Sequence, residues 1–233
     1  METAKGMHID GPAVQQLYDA SAPPTIELME GVIGSMQQRR DTCRDCAYDF
    51  IPPSYITGLK RDYGAFVLCS DKDTFSVSDA VRLPLPNRPN IVADVTQLYC
   101  PYMIDGKHWV GVVIDLSTRS ITVLDCNTAC VTVAEMENYL QPLSAMLPYI
   151  IRHACDADAS NALPGTPFPI KRLDISLLCE APGLSAVATL ALIELHATNQ
   201  LLAAGDIDDE TLRTASRNYA VSLCEYLEAT DNT

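Results

Sequence analysis

Basic residues are scarce in this chain: 16 Lys and Arg stand against 30 Asp and Glu, a net charge of −14. A surface of that sign repels nucleic-acid phosphates and anionic membranes, which removes both as partners held by charge and leaves a basic protein or peptide surface as the better match. Long hydrophobic runs are missing too. The longest apolar stretch, roughly residues 181–193, contains Ser185 and Thr189 and is followed by Glu194 and His196. It falls short of the ~18 residues that a membrane span needs and reads as a buried helix. The opening METAKGMHID lacks the apolar core of a secretory signal. The nine cysteines are therefore read as reduced thiols in a nuclear or cytoplasmic setting. Their number is odd and their spacing follows no disulfide framework. Cys43 and Cys46 form one CxxC and Cys126 and Cys130 a CxxxC, but no second CxxC supplies the four converging ligands of a zinc site. Neither a metal nor a cofactor is expected, and the thiols read as small hydrophobes. No period of about 20–50 residues repeats, which excludes a solenoid.

What is present is the composition of a globular domain, 48 % hydrophobic and 20 % charged. Residues 1–24, closed by Pro23-Pro24, lack a strong periodic pattern and read as a loose N-terminal segment; one domain is expected over 25–233. From Thr25 to about Arg40, apolar residues recur at helical spacing. CRDCAYDFIPPS reads as a polar, proline-punctuated connection, residues 65–69 as a short strand, and LPLPNRPN (83–90) as a loop. Three strands follow, over 96–104, 108–116 and 121–125, separated by the turns DGK and STRS. The nearly continuous apolar character of the last two predicts a central strand covered on both faces. Residues 133–151 read as a helix that Pro142 can kink, and 168–173 as a short strand. A buried helix is predicted over 184–201 and an amphipathic one over 208–227, with acidic residues 206–210 at its positive end. This order is that of an α+β domain.

The chemistry gathers on the central hairpin. His108 opens one strand and Asp125 closes the next, so an antiparallel pairing brings the two side chains to one edge of the sheet. A carboxylate beside an imidazole fixes its tautomer and supports the imidazolium formed in catalysis. The nucleophile belongs at the N-terminus of a buried helix, where the helix dipole and a nearby imidazolium lower a thiol pKa. His8, His153 and His196 have no such partner in the sequence and read as structural. Glu194 reads as an anchor between the buried helix and a loop.

KHWVGVVIDLSTRSITVLDC resembles the His-Trp and Asp strands of the Ulp1-like cysteine proteases, the SUMO-deconjugating group. MLPYIIR, PFPIKR and LIELHAT resemble its plant, often transposon-associated, branch, and the likeness runs over about residues 25–228. The resemblance implies a papain-like cysteine protease fold with a central mixed or antiparallel sheet and a buried helix carrying the nucleophile position. It implies His108 as general base, Asp125 as its orienting acid and Trp109, the single tryptophan, as a wall of the narrow substrate channel. The partner it implies is SUMO or another ubiquitin-like protein. The nucleophile segment departs from the pattern. Family members read Gln, several small or polar residues, then Asp-Cys-Gly; here Leu184-Ser185-Ala186 falls on Asp-Cys-Gly. The oxyanion glutamine would fall near Leu177, Leu178 or Cys179, yet no glutamine lies between Gln141 and Gln200. Ser185 has three readings. A deliberate Cys-to-Ser exchange would have left Gln, Asp and Gly in place. A working serine hydrolase would have to use a hydroxyl far less acidic than a thiol, with about 100- to 1,000-fold lost for want of the oxyanion donor. A decayed, inactive protease fold accounts for all the departures together. Cys179, six residues before Ser185, is a substitute thiol away from the helix terminus or a loop cysteine without a role.

Overall fold

The computed structural model describes residues 9–42, 46–78, 81, 95–154, 164–175 and 177–231. His8, Cys43 and the 83–90 loop lie outside the described residues. Helices α1 (Gly11–Asp19) and α2 (Ile26–Asp41) precede strand β1 (Tyr48–Phe50) and helix α3 (Ser54–Leu68). Strands β2 (Gln97–Ile104), β3 (His108–Asp115) and β4 (Ser120–Leu124) follow. Helix α4 (Val133–Ala154), strand β5 (Ile170–Arg172), helix α5 (Pro182–Ala197) and helix α6 (Asp209–Asp231) complete the α+β order. The sheet runs β1-β2-β3-β4-β5, with β1 parallel to β2, β5 parallel to β4 and the central pairs antiparallel.

Local chemistry explains the element starts. Asp10 accepts the Ala13 N–H at 2.9 Å, with Pro12 inside the first turn of α1. Thr25 caps α2 by accepting from Leu28 N–H, and Arg39 and Arg40 close it at the negative end of its dipole. Thr132 and Glu135 exchange hydrogen bonds as a capping box at the head of α4. Asp208 accepts the Thr211 N–H at 2.8 Å to start α6.

Side chains alternate across the sheet, so each face has its own core. Leu98, Cys100, Val110, Val112, Ile121 and Val123 pack under α3 and α4. Tyr99, Trp109, Val113 and Leu124 pack on the other face, under α2, α5 and α6. Seven of the eight residues of β3 are buried, as its two-sided apolar run predicts. Gly111 lies on the α5 face, where a Cβ would stand 2.9 Å from Ile193 Cγ1; its missing side chain lets α5 close on the sheet.

Four expectations are corrected. Residues 65–69 form no strand: 65–68 are the last turn of α3, whose buried residues Tyr55, Ile56, Leu59 and Phe66 recur at helical spacing. The polar connection at 43–54 contains β1, too short to leave a pattern of its own and held by β2. The N-terminal segment is ordered from Ile9 onward: α1 lies against α6, and Ser216 donates its hydroxyl to the Leu17 carbonyl. α5 stops at Ala197, short of the expected 201.

Candidate active site

β3 and β4 deliver the two polar residues of the site. The last paired residue of β4, Leu124, opposes Gly111, so Asp125 lies one step further toward the His108 end. His108 shares the parity of Val110 and Val112, and Asp125 that of Ile121 and Val123, which puts both on one face. His108 Nε2 lies 2.8 Å from Asp125 Oδ1, and both residues are buried. An ionised carboxylate only accepts, so Nε2 carries the proton and Nδ1 is left as the basic nitrogen. The hairpin thus places His108 and Asp125 together.

Asp125 has further partners. The Asn127 N–H donates to Oδ1 at 2.8 Å, and the Arg172 guanidinium pairs with Oδ2. Arg172 lies on β5 opposite Val123 and also donates to the Val131 carbonyl at 2.7 Å. Burial pushes the Asp125 carboxyl up, but the hydrogen bonds from His108 and Asn127 and the neighbouring positive charges outweigh it and hold the carboxyl below its ordinary range. Sequence reasoning missed Arg172 as a site residue. The signal was the parity of PFPIKR beside ITVLD, readable only once β5 is known to pair with β4.

Ser185 occupies the first turn of α5, on the opposite side of the sheet. Thr189 donates its hydroxyl to the Trp109 carbonyl at 2.9 Å, and the Cys126 thiol faces the Ser185 carbonyl at 3.8 Å. These contacts seat the head of α5 against the end of β4. Ser185 is buried, at 5 % exposure. The Leu184 and Ser185 N–H groups both donate to the Ala181 carbonyl at 3.0 Å, and Pro182 has no N–H, so little of this helix terminus is left to hold an oxyanion. Of the three positions where the glutamine would fall, Leu178 points to solvent. Cys179 turns its thiol to the Ala181 carbonyl at 3.8 Å, which makes it the position that reaches the helix head. Burial pushes that thiol up, away from nucleophilic character.

Trp109 is fully buried, and its indole N–H donates to the Pro24 carbonyl at 3.3 Å. The same segment closes on Gly183, where a Cβ would overlap the Ala20 carbonyl oxygen and stand 3.2 Å from Ala22 N. Residues 20–24 therefore form a strap over the indole and over the turn that carries Ser185. Gly183→Ala is expected to lift this strap, at about 1–3 kcal/mol of overpacking. Because the chain has one tryptophan, red-shifted emission from Trp109 with a lowered melting temperature checks it; unchanged emission counts against the strap.

The remaining candidates are structural. Glu194 accepts from Tyr219 at 2.6 Å and pairs with Arg39 at 3.5 Å, tying α5 to α6 and α2. His196 meets the Tyr99 hydroxyl at 2.8 Å, and His153 bonds the Asp73 carbonyl. Among the described residues no group of three or more His, Cys, Asp or Glu is placed to hold a metal, and no helix is long and apolar enough to cross a membrane.

The Ulp1 protease family C-terminal catalytic domain matches residues 33–229. No curated protein sequence matches the chain. Among solved structures, the SUMO protease Ulp1 with its catalytic cysteine oxidised to a sulfenic acid superposes with a TM-score of 0.66 at 13 % identity, over 95 % of this chain and 86 % of that one. The C-terminal Ulp1 protease domain in complex with Smt3, the yeast ortholog of SUMO, gives 0.61 at 12 % identity, over 93 % and 83 %. A de-sumoylating protease gives 0.53 at 10 %, over 95 % and 87 %. The α+β fold with its five-stranded mixed sheet matches that of these proteases, and this chain belongs to the Ulp1 protease family through its C-terminal catalytic domain.

Proposed function

We propose that this chain is a Ulp1-family peptidase domain that no longer hydrolyses its bond. One observation carries the reading: the His108–Asp125 pair is intact and buried, yet the position where the resemblance puts the nucleophile, in the first turn of α5, is a serine, Ser185. Two features of the helix head point the same way. Its Leu184 and Ser185 N–H groups are engaged on Ala181, and no amide side chain stands at 177–179. The inherited chemistry is attack of a thiolate, activated by His108 and Asp125, on the terminal glycine carbonyl of the Gly-Gly end of a SUMO-like modifier, with the amine that follows as leaving group. A hydroxyl is a far weaker acid, and without an oxyanion donor its turnover falls by a further ~100- to 1,000-fold. The intact chain is expected to leave a cleavable SUMO fusion uncut. Robust cleavage that His108→Ala abolishes would overturn the proposal.

A binding role is the second reading, in the nucleus or cytoplasm, with SUMO or another ubiquitin-like protein as partner. The Smt3 complex of the similar Ulp1 domain and the net charge of −14 favour it. Trp109→Ala is a poor test, because emptying a fully buried tryptophan site costs about 3–5 kcal/mol of stability. Calorimetric titration with SUMO at two salt concentrations is better: saturable binding that weakens with salt supports the role. Absence of both binding and cleavage leaves a mobile-element remnant, the reading that MLPYIIR, PFPIKR and LIELHAT support through their likeness to the plant branch.

A further inference from the structure

Two cysteines outside the catalytic positions meet at the head of α5. Cys126 directly follows Asp125, and Cys179 lies six residues before Ser185. The Cys179 N–H donates to the Cys126 carbonyl at 3.0 Å. A single backbone bond of that length keeps the two Cα atoms within roughly 5–6.5 Å, inside the range a disulfide spans. Both side chains turn the same way: the Cys126 thiol faces the Ser185 carbonyl and the Cys179 thiol the Ala181 carbonyl, each at 3.8 Å. Those two carbonyls are one helical turn apart, joined by the Ser185 N–H bond to Ala181. Both cysteines are buried and free.

We infer that Cys126 and Cys179 form a reversible disulfide that staples the acid-bearing end of β4 to the loop entering the nucleophile helix. The inference is independent of whether Ser185 performs any chemistry. The oxidant is a low-molecular-weight disulfide of the glutathione class. One cysteine thiolate attacks it and releases one glutathione thiol; the second attacks the mixed disulfide and releases the other. Two S–H bonds are lost, one protein S–S bond forms, and the two electrons reduce the glutathione disulfide to two thiols. Burial beside Cys179 and Asp125 pushes the Cys126 thiol up to about 12, so the exchange is slow and proceeds through opening of the strap and loop.

The pair is distinct from the CxxxC of Cys126 and Cys130. Cys130 is exposed, with its N–H on the Asn127 carbonyl, and nothing comparable joins its backbone to Cys126.

The test is incubation of the intact chain with oxidised glutathione, followed by alkylation, digestion and mass spectrometry. A peptide pair linked through Cys126 and Cys179 is expected, with a melting temperature raised by roughly 5–15 °C, as closing a long loop of this kind predicts. Dithiothreitol should reverse both. Cys130→Ser should retain the link and Cys179→Ser should lose it. Because the linked peptide is read on the unaltered chain, a poorly folding variant does not blunt the test. Alkylation of both Cys126 and Cys179 after oxidation, or a link from Cys126 to Cys130, would overturn the inference.

Discussion

Asp125→Asn is expected to lower the melting temperature by roughly 6–20 °C, although it removes one charge and no bulk. Asp125 is wholly buried and Arg172 nearly so, with side chains 0 % and 10 % exposed. Taking away the carboxylate strands the guanidinium beside neutral groups, and breaking a buried pair from one side costs about 3–5 kcal/mol. The Arg172 Nε already lacks a hydrogen-bond partner, so the carboxylate is the main compensation for that buried cation. His108→Ala leaves the Arg172–Asp125 pair standing and should cost only about 1–2 kcal/mol. Thermal denaturation of the two variants separates the structural role of the acid from the catalytic one proposed for it. Equal losses would mean that Arg172 does not depend on Asp125.

The pH dependence carries a fixed sign. The Asp125 carboxyl is held below its ordinary range in the folded chain. Its stabilisation is therefore fully present above the unfolded carboxylate value of about 3.9 and is lost as pH falls through the lower folded value. The gap between the intact chain and Asp125→Asn should be constant near neutrality and close in acid.

The hairpin was legible because its signal is local. HWVGVVIDL and ITVLD are β-branched, turn-bounded and fixed in register by STRS, so pairing followed from the sequence and brought His108 to Asp125. Apolar runs decided α2, α4 and α5 in the same way. β1 has three residues and exists only as a partner of β2, so no window of sequence could show it, whereas β5, equally short, falls inside the strand expected over 168–173. α3 was missed because its buried positions fall among Gly58, Gly64 and charged residues that blur the period. The capping signal for α1 was present in Asp10-Gly11-Pro12, but a nine-residue helix is held by α6, about two hundred residues away in sequence. For the site, residue types named the pair and the departure at Ser185. Burial of Trp109 under Pro24, and the hold of Arg172 on Asp125, are tertiary facts that no local pattern encodes.

Ser185→Cys is expected to give the largest chemical gain. A thiol in the first turn of α5, at the positive end of the helix dipole, should become a thiolate more readily than Cys126 or Cys179, whose thiols burial pushes up. Alkylation by iodoacetamide, followed by mass spectrometry, should then modify residue 185 first and slow sharply in a His108→Ala background. A SUMO C-terminal vinyl sulfone asks more, because it is far bulkier and residues 20–24 close over Trp109 and Gly183 beside this turn. Labelling by the small reagent alone would place the block at the strap, and labelling by both would show an open cleft. Turnover of a SUMO fusion should stay low with the thiol alone, since the first-turn N–H groups are engaged on Ala181. Adding Cys179→Gln puts an amide at the position that faces the helix head, and about 100- to 1,000-fold faster cleavage is expected from such a donor. No labelling of Ser185→Cys by either reagent would mean that His108 does not serve this position, and the departure from the family pattern would then extend beyond the nucleophile and the glutamine to the pairing of the hairpin with α5.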